Sequence, residues 1–199
     1  MSNLKLFNKW ETTGIEIKDP GLKDYINLTP VVVPKTCGRN VNVAFWKTKY
    51  NIVERLINKV MVPGHRGKKH LIFSGQCTGK GATAYTQILK TFELIEKKTS
   101  KNPVEVLVHA IEHAAPREEI TTIEYGGARY PQSVECSPQR RVDVALRIMV
   151  QGSFQRSFNK KIKFHECLAD EIVAASNNDV KSAAVSKKVE MERQAESSR

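Results

Sequence analysis

A chain of 199 residues and 22.4 kDa has room for one ordinary domain with extensions, and a hydrophobic fraction of 40% is too high for a chain that stays disordered. The 32 basic and 21 acidic residues leave a net charge of +11, which says little about fold and favours nucleic acid or another anionic surface as partner. Four scattered cysteines (Cys37, Cys77, Cys136, Cys167) form no C-x-x-C pair, which argues against a zinc ribbon, a redox motif or a disulfide framework, and no apolar run approaches a membrane span.

The first 49 residues lack periodicity, contain Pro20, Pro30 and Pro34, and read as an extended basic arm that a partner orders. Its candidate contacts are Lys35, Arg39, Lys47 and Lys49. The first helical pattern spans residues 50–61. Val53, Leu56, Ile57, Val60 and Met61 form its apolar stripe, and Glu54, Arg55, Asn58 and Lys59 face the other way, Arg55 being a candidate contact. Pro63-Gly64 stops it, and a basic connector over residues 65–81 carries the candidates Lys68, Lys69 and Lys80.

Residues 82–98 form a second helical pattern through Tyr85, Leu89, Phe92 and Ile95. Asn102-Pro103-Val104-Glu105 then supplies a cap, a proline at the first helical position and a reach-back glutamate. Leu107, Val108, Ile111 and Ala114 follow at helical spacing until Pro116 forbids continuation. A β-rich run over residues 120–125, the Gly126-Gly127 loop and a return over 128–134 predict a hairpin, with Pro131 restricting it to an edge position and Arg129 and Tyr130 near the tip. Ser137-Pro138 restarts a helix whose first turn holds Arg140 and Arg141. The helix dipole disfavours cations there, so the pattern points to a polyanion outside the chain. Val142, Ala145, Leu146 and Met149 give this helix its core face. Gly152 is expected to loosen the chain into a basic stretch with Arg156, Lys160 and Lys161. A fifth helix covers residues 164–175, with Phe164, Leu168, Ile172 and Ala175 on its apolar face. A sixth, polar almost all round and capped by Asp179, covers 180–195. The charge divides unevenly: residues 129–163 carry 8 bases and 2 acids, residues 164–199 carry 5 and 7. A polyanion is therefore expected on the first three quarters of the chain.

The expected fold is mainly α: a single helical domain of about six helices with a protruding two-stranded β-hairpin and an extended N-terminal arm. The expected organisation is an extension at 1–49, a helical RNA-binding core at 50–178 with the hairpin at 119–136, and a C-terminal helix and tail at 179–199. Two motifs compete with a binding role. The stretch from Ser74 to Gly81 resembles a phosphate loop but has serine where the first glycine belongs and Gly81 where a serine or threonine should follow Lys80. His109-Ala110-Ile111-Glu112-His113 fits H-x-x-E-H, which on a helix could chelate zinc with Glu112 as base. A zinc-dependent hydrolase is the alternative function.

Several landmarks stand in an order that resembles one family: Ile52-Val53-Glu54-Arg55-Leu56, Asn102-Pro103, Ala115-Pro116-Arg117-Glu118, Ser137-Pro138-Gln139-Arg140-Arg141 and Cys167-Leu168-Ala169-Asp170-Glu171. The chain is similar to small-subunit ribosomal protein seven in its archaeal or eukaryotic form, from about Lys35 to the C-terminus. One departure is Gly81, where the family has a second basic residue after Gly-Lys. The resemblance implies no catalysis and no cofactor, and a cytoplasmic place in the small ribosomal subunit. It further implies binding to the three-prime major domain of small-subunit rRNA, help in organising the head, and a hairpin near exit-site tRNA, mRNA and small-subunit protein eleven. Arg117 joins the candidate contacts on these grounds.

Overall fold

The computed structural model describes residues 4–66, 69–70 and 77–199, and the backbone alone at 65–66 and 69–70. Six helices and a two-stranded hairpin make up most of it, the mainly α single domain expected from the sequence. α1 (Ile52–Val60) starts where the Asn51 side chain accepts from the Val53 amide at 2.9 Å. Two short strands, β1 (His65–Arg66) and β2 (Lys69–His70), pair antiparallel after it. α2 (Gly81–Thr99) buries Ala84, Ile88, Phe92 and Ile95. The left-handed Ser100 ends it. α3 (Pro103–Ala114) begins at the Asn102 cap and stops before Pro116, as the local sequence dictates.

α5 (Phe164–Ser176) lies at the centre, packed against α2, α3 and α4. Its own Leu168 and, around it, Leu56, Phe92, Leu107, Ile111, Leu146 and Met149 are fully buried. Truncating any one of these to alanine is expected to cost roughly 2–5 kcal/mol, because the void cannot fully collapse.

Two sequence expectations are corrected here. α4 (Pro138–Ser157) does not loosen at Gly152 but runs five residues beyond it. α6 (Ala183–Glu196) is capped by Ser182, whose hydroxyl accepts from the Ala184 amide at 3.2 Å, and not by Asp179. Asp179 instead makes a turn onto the Lys181 amide. Gly152 is needed for packing: a methyl there would stand 2.6 Å from the Ala183 Cβ, so only glycine lets α6 begin against α4. The fully buried Glu171 fastens the same junction. It accepts from the Ser182 hydroxyl at 2.7 Å and the Ala184 amide at 3.1 Å, and pairs with Arg156 at 3.3 Å.

The first half of the arm also departs from expectation. Its backbone is irregular, but Leu6, Phe7, Trp10, Leu22 and Ile26 are buried in the helical core. Phe7 and Trp10 meet Phe92 edge-on, with ring centres 6.1 and 5.7 Å apart. Packing within the chain, not a partner, holds this part. Only the segment from Lys35 to Lys49 is exposed along nearly its whole length.

The hairpin pairs β3 (Glu118–Tyr125) with β4 (Ala128–Glu135), Glu118 opposite Glu135 and Tyr125 opposite Ala128. Gly126 and Gly127 both take positive φ, as the two-residue loop requires. A ribbon this slim is marginal alone, and its root is braced by α6 and the C-terminus. The Arg117 amide donates to Glu192 at 2.9 Å, the Ser133 amide donates to the Ser198 carbonyl at 3.4 Å, and Arg199 pairs with Glu118.

Candidate nucleic-acid interface

The two arginines at the start of α4 have different roles. Arg140 is half exposed and pairs with Glu119 of the hairpin at 2.5 Å. That bond is the leading reason its pKa lies above the ordinary arginine value. Arg141 is only 8% exposed and reaches inward. Its guanidinium donates to Asp19 at 2.7 Å and to the Pro116 carbonyl at 3.1 Å. Two acids within the chain therefore neutralise the cations that the dipole disfavours. This corrects the expectation that something outside the chain, a polyanion, neutralises them.

Arg55 is engaged inside the fold in the same way. It is 4% exposed, donates to the Tyr25 carbonyl at 2.9 Å and pairs with Asp143 at 3.2 Å. Lys47 and Lys59 share that carboxylate. Burial alone would raise the Asp143 pKa, but Lys47, Lys59 and Arg55 outweigh it and hold the carboxyl below its usual value.

Around this network the fold assembles an open basic notch. A concavity of about 310 Å³ is lined by Lys47 from the arm and by Ser137, Gln139, Arg140, Asp143 and Arg147 from the α4 region. Lys47 and Arg140 are thus brought together across 93 residues of sequence. Arg147 is not among the contacts expected from the sequence, although its spacing could have revealed it. Seven residues after Arg140, it lies on the same helical face and is exposed.

A second basic edge lies where the end of α4 meets the start of α5. Arg156, Lys160, Lys161 and Lys163 are exposed there. A cleft of about 520 Å³ brings Lys163 to Lys80 at the start of α2. Arg117 is exposed at the hairpin root, and Arg129 and Tyr130 near the tip, Arg129 lying 3.7 Å from Glu124. Lys35, Arg39 and Lys49 are exposed on the arm. Phe45 and Trp46, exposed among these cations, are not among the expected contacts either, though the sequence interleaves aromatic and basic residues here. For Lys69 only the backbone is described. Lys68 lies outside the described residues, as do Ser74, Gly75 and Gln76 of the phosphate-loop comparison.

The H-x-x-E-H helix is spent on structure. Glu112 accepts from the Lys18 amide at 2.5 Å and the Asp19 amide at 3.1 Å, and meets His109 Nδ1 at 3.0 Å. His113 Nδ1 faces the Ala175 carbonyl at 3.3 Å. These contacts tie the arm and α5 to α3, and no group of three His, Cys, Asp or Glu able to hold a metal occurs among the described residues. At the hairpin root, burial first and then the neighbouring Glu119 push the Cys136 thiol up to about 11, which suits a packing role. All four cysteines are free.

The family model for ribosomal protein S7p/S5e matches residues 22–199. The chain belongs to that family. It is 54% identical to the small ribosomal subunit protein uS7 of Nanoarchaeum equitans (strain Kin4-M) over 196 residues, 98% of this chain and 99% of that protein. It is 48% identical to the protein of the same name from Archaeoglobus fulgidus, again over 98% of this chain and over 95% of that protein. Both matches extend well before Lys35, where the resemblance begins in the sequence reading, and so take in the buried part of the arm. The family is one of structural proteins, not enzymes, and the zinc-hydrolase alternative is overturned. No helix among the described residues is long and apolar enough to cross a membrane.

Proposed function

We propose that this chain is a structural protein of the small ribosomal subunit in the cytoplasm, that it binds the three-prime major domain of the rRNA, and that it helps nucleate the head. The observation that carries this reading is the family match across residues 22–199. Physical support comes from the two basic edges, at the start of α4 and at the junction of α4 with α5. Cations spread over a rigid surface position a protein on phosphates by shape without reading sequence.

The proposed phosphate contacts are Lys35, Arg39, Lys47, Lys49, Lys68, Lys69, Lys80, Arg117, Arg140, Arg156, Lys160 and Lys161, with Arg147 added. Arg55 and Arg141 leave the set because their guanidinium groups are consumed inside the fold. Arg129 and Tyr130 are assigned to the hairpin tip, which would lie near exit-site tRNA and mRNA, with protein eleven as a neighbour. No cofactor takes part. The experiment is binding of the full chain to a three-prime-domain rRNA fragment, with co-sedimentation with small subunits. Tight, salt-sensitive binding is expected, and failure in both assays would refute the reading.

A further inference from the structure

Residues 35–49 contain Lys35, Arg39, Lys47 and Lys49 and no acid. Within them the Phe45 ring is 76% exposed. One exposed apolar side chain needs no explanation, but this ring is held outward by a fixed and unusual backbone. Phe45 has φ 65° and ψ −6°, a left-handed conformation that L residues other than asparagine and aspartate seldom adopt. Its carbonyl accepts from the Thr48 amide at 3.1 Å and from the Thr48 hydroxyl at 2.9 Å, so the conformation is pinned. The following Trp46 is partly exposed, and the Lys49 ammonium stands 3.9 Å from its ring centre. One face of the indole is therefore taken by a cation.

We infer that Phe45 is a stacking platform for an unpaired rRNA base, with Lys47 and Lys49 holding the flanking phosphates. This rests on the RNA-binding reading above and adds a specific contact to it. Aromatic rings take single-stranded bases whatever their identity, because every base has a π-face, and adjacent cations neutralise the backbone. The segment offers both within five residues. A protein occupant would have to bring an acidic surface to this face, and the test separates the two.

Phe45→Ala, Phe45→Leu, Phe45→Trp and Phe45→Gly variants of the full chain are titrated with a three-prime-domain rRNA fragment at fixed salt. Loss of one stacked base is expected to weaken the Ala variant roughly fivefold to a hundredfold. The Leu variant should lose nearly as much, and the Trp variant should keep native affinity. The slope of log affinity against log salt should be the same in all, since no charge has changed. Phe45→Gly relieves the left-handed backbone and should raise the thermal midpoint while losing affinity as the Ala variant does. That result would separate the ring's contribution from any loss of fold.

Native affinity in the Ala variant overturns the inference, as does full affinity in the Leu variant, which would make the ring a filler of apolar space. Unchanged RNA affinity with impaired entry into reconstituted small subunits would assign Phe45 to a neighbouring protein and equally overturn it. If the native chain fails to bind the fragment, the RNA-binding reading falls and takes the stacking with it. Native binding with silent Phe45 variants defeats the stacking alone.

Discussion

Gly152 and Ala183 touch across the α4–α6 junction, so that a methyl on Gly152 would lie 2.6 Å from the Ala183 Cβ. Gly152→Ala is therefore expected to destabilise the fold despite alanine's better helix propensity. Overpacking costs about 1–3 kcal/mol and the propensity gain is about 1 kcal/mol. Ala183→Gly in the same chain removes the clash and should recover most of the loss. Urea denaturation of the two single variants and the double variant measures this coupling, and additive effects would show that the contact does not set the helix spacing.

Arg140 and Arg141 are adjacent in sequence but should give different phenotypes. Arg141→Ala strands the Asp19 carboxylate and the Pro116 carbonyl, both tied to it at present. A stability loss of about 1–3 kcal/mol is expected, because the Pro116 carbonyl loses its donor and the partly exposed Asp19 carboxylate keeps only the Gly21 amide. Arg140→Ala takes a half-exposed side chain from Glu119, so it should lower the denaturation midpoint less than Arg141→Ala does while weakening rRNA binding. Denaturation and RNA titration of the two single variants provide the comparison, and a shared phenotype would contradict the division of roles.

How far the sequence could be read depended on whether the deciding interaction was local. Asn102, Pro103 and Pro116 fix both ends of α3 within its own segment, and Gly126-Gly127 sets the hairpin register. Both elements were legible. Arg55 lies on the polar side of the α1 pattern and reads as exposed, but its partners Tyr25 and Asp143 are 30 and 88 residues away. Gly152 reads as a breaker because the contact that requires it comes from another helix. Arg141 and Arg140 are indistinguishable until the arm delivers Asp19. The exposure of Lys35, Arg39 and Lys161 was legible for a simpler reason: a charged side chain stays in water unless the fold supplies a partner, and that preference is local to the residue.

Acid should unfold the protein through its paired aspartates. Asp143 and Asp19 both have folded pKa values below their usual ones. In each case burial acts in the opposite direction and is outweighed, at Asp143 by Lys47, Lys59 and Arg55 and at Asp19 chiefly by Arg141. A depressed carboxylate pKa contributes stability that is fully present above the unfolded value of about 3.9 and is lost as pH falls through the folded one. The urea midpoint should hold from about pH 7 to 5 and then drop with acidification. Asp143→Asn should be less stable at pH 7 and show a shallower drop below pH 4. Parallel curves for the variant and the native chain would mean that the network does not carry this linkage.

If the exposed cations meet phosphates, affinity should fall steeply with salt. Six contacts give a log–log slope of roughly −4 to −5, at about 0.7–0.9 per contact, with the coefficients taken from DNA. Arg147→Ala and Arg140→Ala should each make the slope shallower by about one contact's share. Arg55→Ala should affect it only through loss of folded protein, because that side chain is enclosed. RNA titrations across a series of salt concentrations measure all three, and a nearly flat titration would mean the basic excess is only a solvated surface.

The hairpin is expected to act in translation and not as an assembly anchor. Its acids Glu118, Glu119, Glu124 and Glu135 outnumber its one base, Arg129, so charge density cannot be its main contribution. Its hold on the body lies at the root, where Arg117 meets Glu192, Ser133 meets Ser198 and Arg199 meets Glu118. Replacing residues 125–130 with a shorter turn leaves all three ties, the helical core and both basic edges in place. The trimmed chain should therefore enter small subunits at near-native yield, while exit-site tRNA retention or reading-frame fidelity changes in a translation assay. Removing residues 192–199 is the contrasting variant. It cuts the ties and frees the root, so hydrogen exchange along β3 and β4 should rise although the tip is intact. A trimmed chain that fails to enter subunits, with normal translation by whatever particles do assemble, would make the ribbon an assembly anchor and overturn this assignment.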